Sequence, residues 1–282
     1  MSTINSLLRP IFDLLQAPLA GLPVLVGIVV WSIPVSLFAL WVFKKTSNQA
    51  QISAVKSKIH ACLFEIRLFN DDIRAILRAQ GEILRHVVHY QGLALVPMIF
   101  ILPPLVLVMV QLHSFYGFSS IKPGGEAMLT TVMESNWRDR WDGDRPPVRL
   151  ELPAGLRPVT PAVWVPELGE FSWQIAADDW GDYELELHLG DEVVSKTLTV
   201  TDSIVRLSPT RPDRGFLGQL EWPSEAPLAK DSSIKEINLG YPEGTVSLGG
   251  WSVRNSYAWM VVFFVLTMVI AVALKGPLGV EL

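Results

Sequence analysis

The sequence predicts a membrane α-helical protein with three spans, a cytoplasmic helical hairpin and a β-rich domain held outside the cytoplasm. Three observations predict it. Charged residues are only 18% of the 282, against roughly a quarter in soluble domains, and they are nearly absent from residues 22–43, 92–112 and 257–274. The 44–91 segment between the first two apolar blocks is basic. Residues 126–208 alternate apolar and polar side chains as half-buried strands do.

Each apolar block supplies about the 20 residues that a helix needs to cross a ~30 Å hydrocarbon core. Residues 1–21, an extracytoplasmic or interfacial segment, carry only Arg9 and Asp13 as charges. The basic start of a signal peptide is therefore missing, and Lys44 and Lys45 follow the first block where a small-residue cleavage site would stand. The block at 22–43 reads as a permanent span.

Orientation follows from the short loop. Residues 44–91 hold Lys44, Lys45, Lys56, Lys58, Arg67, Arg74, Arg78 and Arg85 against Glu65, Asp71, Asp72 and Glu82, a net of +4. Short basic loops stay in the cytoplasm, whereas long domains translocate largely regardless of charge. The acidic 113–256 segment, with 22 carboxylates against 13 Lys and Arg, is then outside, as is the N-terminus, and the 275–282 tail is cytoplasmic. The expected location is a cell (inner or plasma) membrane. Trp31 and Trp41 lie in or near the first span, and Tyr116, Trp251, Tyr257 and Trp259 flank the outer ends of the second and third, where amphipathic rings anchor at the interface.

Within 44–91, Ile52, Val55, Ile59, Leu63, Ile66 and Phe69 recur at helical spacing, and Ile73, Ile76, Leu77, Leu84 and Val88 form a second stripe. Asn70-Asp71-Asp72 between them reads as a helix start. Two helices that leave one span and return to the next make an antiparallel hairpin, either packed stripe to stripe or touching anionic headgroups. The lone Cys62 cannot form an intramolecular disulfide and reads as a free thiol at a helix contact.

The second span, 92–112, contains Pro97, Pro103 and Pro104. Proline removes a backbone donor and clashes with the preceding turn, so the adjacent pair predicts a kink with freed carbonyls. Pro34 predicts a milder bend in the first span, where Ser32 and Ser36 are the polar side chains. These five, Ser32, Ser36, Pro97, Pro103 and Pro104, are the candidate functional positions in the membrane. No Asp, Glu, Lys or Arg lies in any span, which argues against a pump or ion-coupled transporter.

The order of these elements carries a resemblance. Leu7-Leu8-Arg9-Pro10-Ile11-Phe12 precedes a first span that ends in Lys44-Lys45-Thr46-Ser47-Asn48-Gln49. A basic helical hairpin follows, and then a proline-bearing span, Leu93-Ala94-Leu95-Val96-Pro97-Met98-Ile99-Phe100-Ile101-Leu102-Pro103. This resembles the YidC-type membrane insertase superfamily, including its minimal three-span relatives, over roughly residues 5–115 and, by topology alone, the third span. The resemblance implies a scaffold that inserts or assembles other membrane proteins. Two departures stand beside it: residues 22–43 hold no arginine, where bacterial members carry one in a hydrophilic groove, and about 140 residues separate the second and third spans.

In the outer segment, residues 148–152, 171–175 and 183–189 alternate with period two, and Gly190-Asp191 turns the last into 192–200 as a tight hairpin. Asp179-Trp180-Gly181-Asp182-Tyr183 resembles the tyrosine corner of immunoglobulin-like β-sandwiches, with Leu185 where antibody domains have cysteine. Asp179, Gly181 and Tyr183 are thus the candidate structural corner, and the sandwich is expected at about 126–208. Residues 209–256, rich in Pro, Gly and Trp, should wrap between sandwich and membrane, with a strand at 234–239. Trp137, Trp141, Asp139, Asp142 and Asp144 form a loop that suits solvated turns better than carbohydrate or cation binding.

His60, His86, His89, His113 and His188 are scattered, and no phosphate-binding loop, nucleophile elbow or Cys/His ligand pattern occurs. No enzyme, cofactor, metal or nucleic-acid partner is expected. The expected partners are membrane lipid and membrane or nascent proteins. The alternative is an accessory subunit of a membrane complex that docks a partner through its outer β domain.

Overall fold

A computed structural model of the protein describes residues 2–69, 71–141, 143–213 and 215–280. The chain divides into two compact units, Met1–Ile28 with Leu107–Val261, and Val29–Val106 with Val262–Leu282. Four helices open the chain, α1 (Ser2–Gln16), α2 (Val24–Thr46), α3 (Gln49–Leu68) and α4 (Ile73–Tyr116). Two short ones, α5 (Trp137–Arg140) and α6 (Phe216–Glu221), lie among the strands, and α7 (Ala258–Lys275) follows them. Among the described residues α2, α4 and α7 are long and apolar enough to cross a membrane.

The first unit holds the β-rich region. Its strands are β1 (Glu126–Met133), β2 (Val148–Glu151), β3 (Leu156–Pro158), β4 (Val163–Val165), β5 (Glu170–Ala177), β6 (Gly181–Leu189), β7 (Glu192–Val200), β8 (Thr210–Arg211), β9 (Ile234–Leu239), β10 (Thr245–Leu248) and β11 (Trp251–Arg254). One sheet runs β3-β5-β1-β9-β8 with β4 also on β5, a second runs β2-β6-β7, and β10 pairs β11. Every pairing is antiparallel. Alternation decides which side chains turn inward: on β6, Leu185, Leu187 and Leu189 are buried while Glu184 and Glu186 are exposed. They share one core with Leu129, Phe171, Ile175 and Ile237 of the larger sheet. Fully burying each such side chain is worth about 1.5–3 kcal/mol, so this core is what holds the two sheets together.

The region reaches further than 208. Strand β9 lies at 234–239 as expected, but it sits between β1 and β8 and completes the larger sheet rather than wrapping beside it. The β10–β11 hairpin was not foreseen; Gly249 and Gly250, at φ +53° and +94°, supply the left-handed turn that its two-residue connection needs.

In the second unit, α3 and the start of α4 form an antiparallel hairpin. The Cys62 thiol lies 3.8 Å from a Glu82 carboxylate oxygen, and the Lys56 ammonium stands 5.9 Å over the Tyr90 ring, so the contacts step in opposite directions along the two helices. Asn48 caps α3 through Gln51 N–H at 3.1 Å. Asp72 caps α4 through Arg74 and Ala75 N–H at 2.9 and 3.2 Å; Asn70 lies outside the described residues. The second arm of the hairpin and the second apolar stretch are one helix of 44 residues, about 66 Å at ~1.5 Å per residue. It runs unbroken past Pro97, Pro103 and Pro104, whose missing amides leave the carbonyls of Leu93, Ile99 and Phe100 without their helical donors.

Candidate functional site

Helix α1 is amphipathic with its polar side turned toward protein. Asn5, Arg9, Asp13 and Gln16 recur about every four residues and so share a face. Asn5 donates to Gln219 O at 2.6 Å, and Arg9 donates to Pro223 O and, at 2.6 Å, to Glu225 O. Asp13 accepts from Arg206 Nε at 2.7 Å, and Gln16 accepts from the Tyr116 hydroxyl at 2.9 Å. The opposite face exposes Ile4, Leu7, Ile11, Leu14 and Leu15, with Leu14 at 76%.

Five consecutive residues gather these contacts. The Trp222 ring lies 6.1 Å from both His113 and Phe118. Pro223 accepts from Arg9. Ser224 bonds Ser114 Oγ at 2.9 Å and Leu207 O at 2.7 Å. Ala226 O accepts from Arg211 at 3.0 Å. Between them, Glu225 accepts from Lys196 Nζ at 2.5 Å, Thr197 N–H at 2.7 Å and Ser208 Oγ at 2.6 Å. Lys196 is wholly buried, and its three donors go to Glu225 and to the Ser208 hydroxyl and carbonyl, the full capacity of an ammonium. Burial pulls the Lys196 ammonium below its usual range, against the opposing pull of Glu225. Burial alone would raise the Glu225 carboxyl, but Lys196, Ser208 and Thr197 outweigh it and hold it below the usual carboxylate range.

A cleft of about 950 Å³ opens nearby, lined by Asp13, Phe115, Trp180, Asp182, Asp202 and Arg206 among others. Arg206 donates to Asp13 and Gln111 and sits 4.7 Å over the Phe115 ring. His113 stacks on Tyr257 at 5.4 Å and accepts from Trp259 Nε1 at 3.3 Å.

The sequence-chosen residues fall in separate places. Ser32 and Ser36 are buried in α2, where Ser36 Oγ donates to Ser32 O at 2.6 Å and contacts Thr267 O of α7 at 3.0 Å. Pro97 is buried, Pro103 exposed and Pro104 half-buried. Asp179 and Tyr183 do meet: the Tyr183 hydroxyl donates to Asp179 O at 3.0 Å, with Gly181 opening β6 between them. Among the rings assigned to the interface, Trp41, Trp251 and Tyr257 are exposed, but Tyr116 and Trp259 are buried, held by Gln16 and His113 rather than free to anchor. Trp137 of the acidic loop is also a core residue, edge-on to Trp164 at 5.1 Å; Asp142 lies outside the described residues. The Lys196–Glu225 pair and the residues around Glu225 escaped sequence reading, because their partners are mostly distant carbonyls.

Among the described residues, two groups bring three possible metal ligands together: Cys62, Glu65 and Glu82, and Glu151, Glu186 and His188. In the first, the buried Cys62 thiol lies 3.8 Å from a Glu82 carboxylate oxygen. Comparisons with protein-family models, curated proteins and solved structures return no match.

Proposed function

We propose that this protein is a non-enzymatic, multi-pass membrane protein that aids insertion or assembly of other membrane proteins on a YidC-like scaffold. In this reading its hairpin and C-terminus are cytoplasmic, and its outer domain is an immunoglobulin-like sandwich. The observation that carries it is unpartnered apolar surface along one helix. On α4, Ile73, Leu77, Leu84 and Val88 are exposed in the hairpin half, before the apolar stretch that lipid would cover. A hairpin serving only its own packing would bury such stripes. Left open beside a net charge of +4, they suit the apolar segments of client chains leaving the cytoplasm. With no arginine in the first span, clients are held by apolar contact and by the carbonyls that the prolines free. The outward apolar face of α1 supports contact with lipid. The Tyr183–Asp179 bond and the shared core of two antiparallel sheets support the sandwich assignment.

A second reading is an accessory subunit that docks a partner outside the cytoplasm. Exposed Leu168, Trp180, Phe216 and Leu217 on the outer unit favour it. Photo-crosslinking separates the two in native membranes. Probes at Leu77, Leu84 and Ile99 should capture nascent or newly inserted chains under the first reading. Capture of one fixed partner from Leu168 or Trp180, with nothing from α4, would replace it with the second.

A further inference from the structure

We propose that Glu151, Glu186 and His188 form a site for a divalent cation of the zinc class on the exposed face of the β2–β6 pair. Strand register assembles it. Glu151 and Glu186 are directly opposite partners across the antiparallel pair, and His188, two residues beyond Glu186, turns to the same face. Like charges directly opposite each other destabilise a sheet. Among the described residues neither carboxylate is paired with Lys or Arg, although Arg149 stands opposite His188.

The distances fit a shared ion better than hydrogen bonds. His188 Nε2 lies 3.4 Å from a Glu151 oxygen and 3.5 Å from a Glu186 oxygen, and it is covered from solvent with no hydrogen-bond partner. A good N–H···O bond would be about 2.9 Å. Ligands on a tetrahedral zinc at ~2.0–2.2 Å from the metal stand roughly 3.3–3.6 Å apart. All three ligand atoms lie within 4.8 Å of one another, so one ion can bridge them with small side-chain adjustment. Imidazole and carboxylate are the donors that zinc accepts. Three protein ligands leave a fourth position for water, or for a carboxylate or imidazole of another protein.

The test uses the full chain, purified in detergent and stripped with EDTA. Equilibrium dialysis against Zn²⁺ should load one ion per chain in the wild type and in Cys62→Ser, which removes the other ligand group. His188→Ala and Glu186→Gln should each lose that ion. Zinc should raise the melting temperature of the wild type and of Cys62→Ser but not of His188→Ala. In EDTA, Glu151→Gln should melt no lower than wild type, because the opposed charges are gone. No zinc on the wild type, or undiminished loading in His188→Ala and Glu186→Gln, would overturn the site.

Discussion

Removing one member of the Lys196–Glu225 pair should be far more damaging than removing both. At 2.5 Å and an effective dielectric of about 20, two unit charges attract by roughly 6–7 kcal/mol. Desolvation costs several kcal/mol for each ion, and Lys196 is 0% and Glu225 13% exposed, so the intact pair is worth little net. Glu225→Gln keeps the shape but strands the ammonium, and should cost about 3–5 kcal/mol. At ~2–4 °C per kcal/mol for a domain of this size, the first unit should melt roughly 10 °C lower. Lys196→Met with Glu225→Leu should recover most of that loss. The assay is tryptophan fluorescence on heating, since eight of the ten tryptophans lie between Trp137 and Trp259. A double variant as unstable as the sum of the single variants would refute the reasoning.

The same carboxylate sets an acid limit. Glu225 titrates lower folded than unfolded, so its stabilisation is complete above an unfolded carboxyl pKa of about 4.3 and is lost as pH falls through the folded value; Glu225→Gln should flatten this part of the melting-temperature profile. Tyr183→Phe removes the bond to Asp179 O and should lower the stability of the β-rich unit by about 1 kcal/mol, read in the same melts; no change would rule out a stabilising tyrosine corner. For topology, in a Cys62→Ser background, Asp191→Cys should react with an impermeant maleimide in intact cells and Ser57→Cys should not. Gly190 is a poor labelling site, because its φ of +60° and the Trp141 ring leave no room for a side chain. Pro103→Ala with Pro104→Ala should leave the protein no less stable, since proline is a poor helix former, and should lose client assembly in a membrane-insertion assay if the freed carbonyls matter.

What was legible in the sequence is what local periodicity encodes. Strand β7 occupies 192–200 and β9 occupies 234–239, as alternation and turn residues predict. The three apolar helices were equally plain, because about 20 uncharged residues need no knowledge of partners. Pairing was not legible. Glu151 and His188 are 37 positions apart and meet only through the β2–β6 register, which no local pattern specifies. The unity of α4 was hidden for another reason: a change from amphipathic to uniformly apolar reads as a boundary, although the backbone continues through it. The aromatic residues Tyr116 and Trp259 follow the same logic, since a ring near a span end looks identical whether lipid or His113 covers it.

The contacts around Glu225 were the least visible, and they explain why a Pro- and Trp-containing stretch without regular structure is so firmly placed. Arg9 reads the carbonyls of Pro223 and Glu225, and carbonyls carry no residue identity, so no motif marks the acceptors. Glu225 works through both of its ends. Its carbonyl receives α1, and its carboxylate receives β7 through Lys196 and Thr197. Ser224, one residue before, holds Ser114 of α4. Glu225 and its neighbour Ser224 thus connect α1, β7 and α4, and α1 and α4 also meet directly through Gln16 and Tyr116. With Glu225 uncharged, the Lys196 ammonium of β7 keeps only the Ser208 hydroxyl and carbonyl as partners, while β7 itself stays paired to β6 along its length. The polar face of α1 is held by the carbonyls of Gln219, Pro223 and Glu225 and by the Arg206 and Tyr116 side chains, so the apolar face with Leu7, Ile11 and Leu14 is left exposed by contacts to residues a hundred to more than two hundred positions away in the sequence.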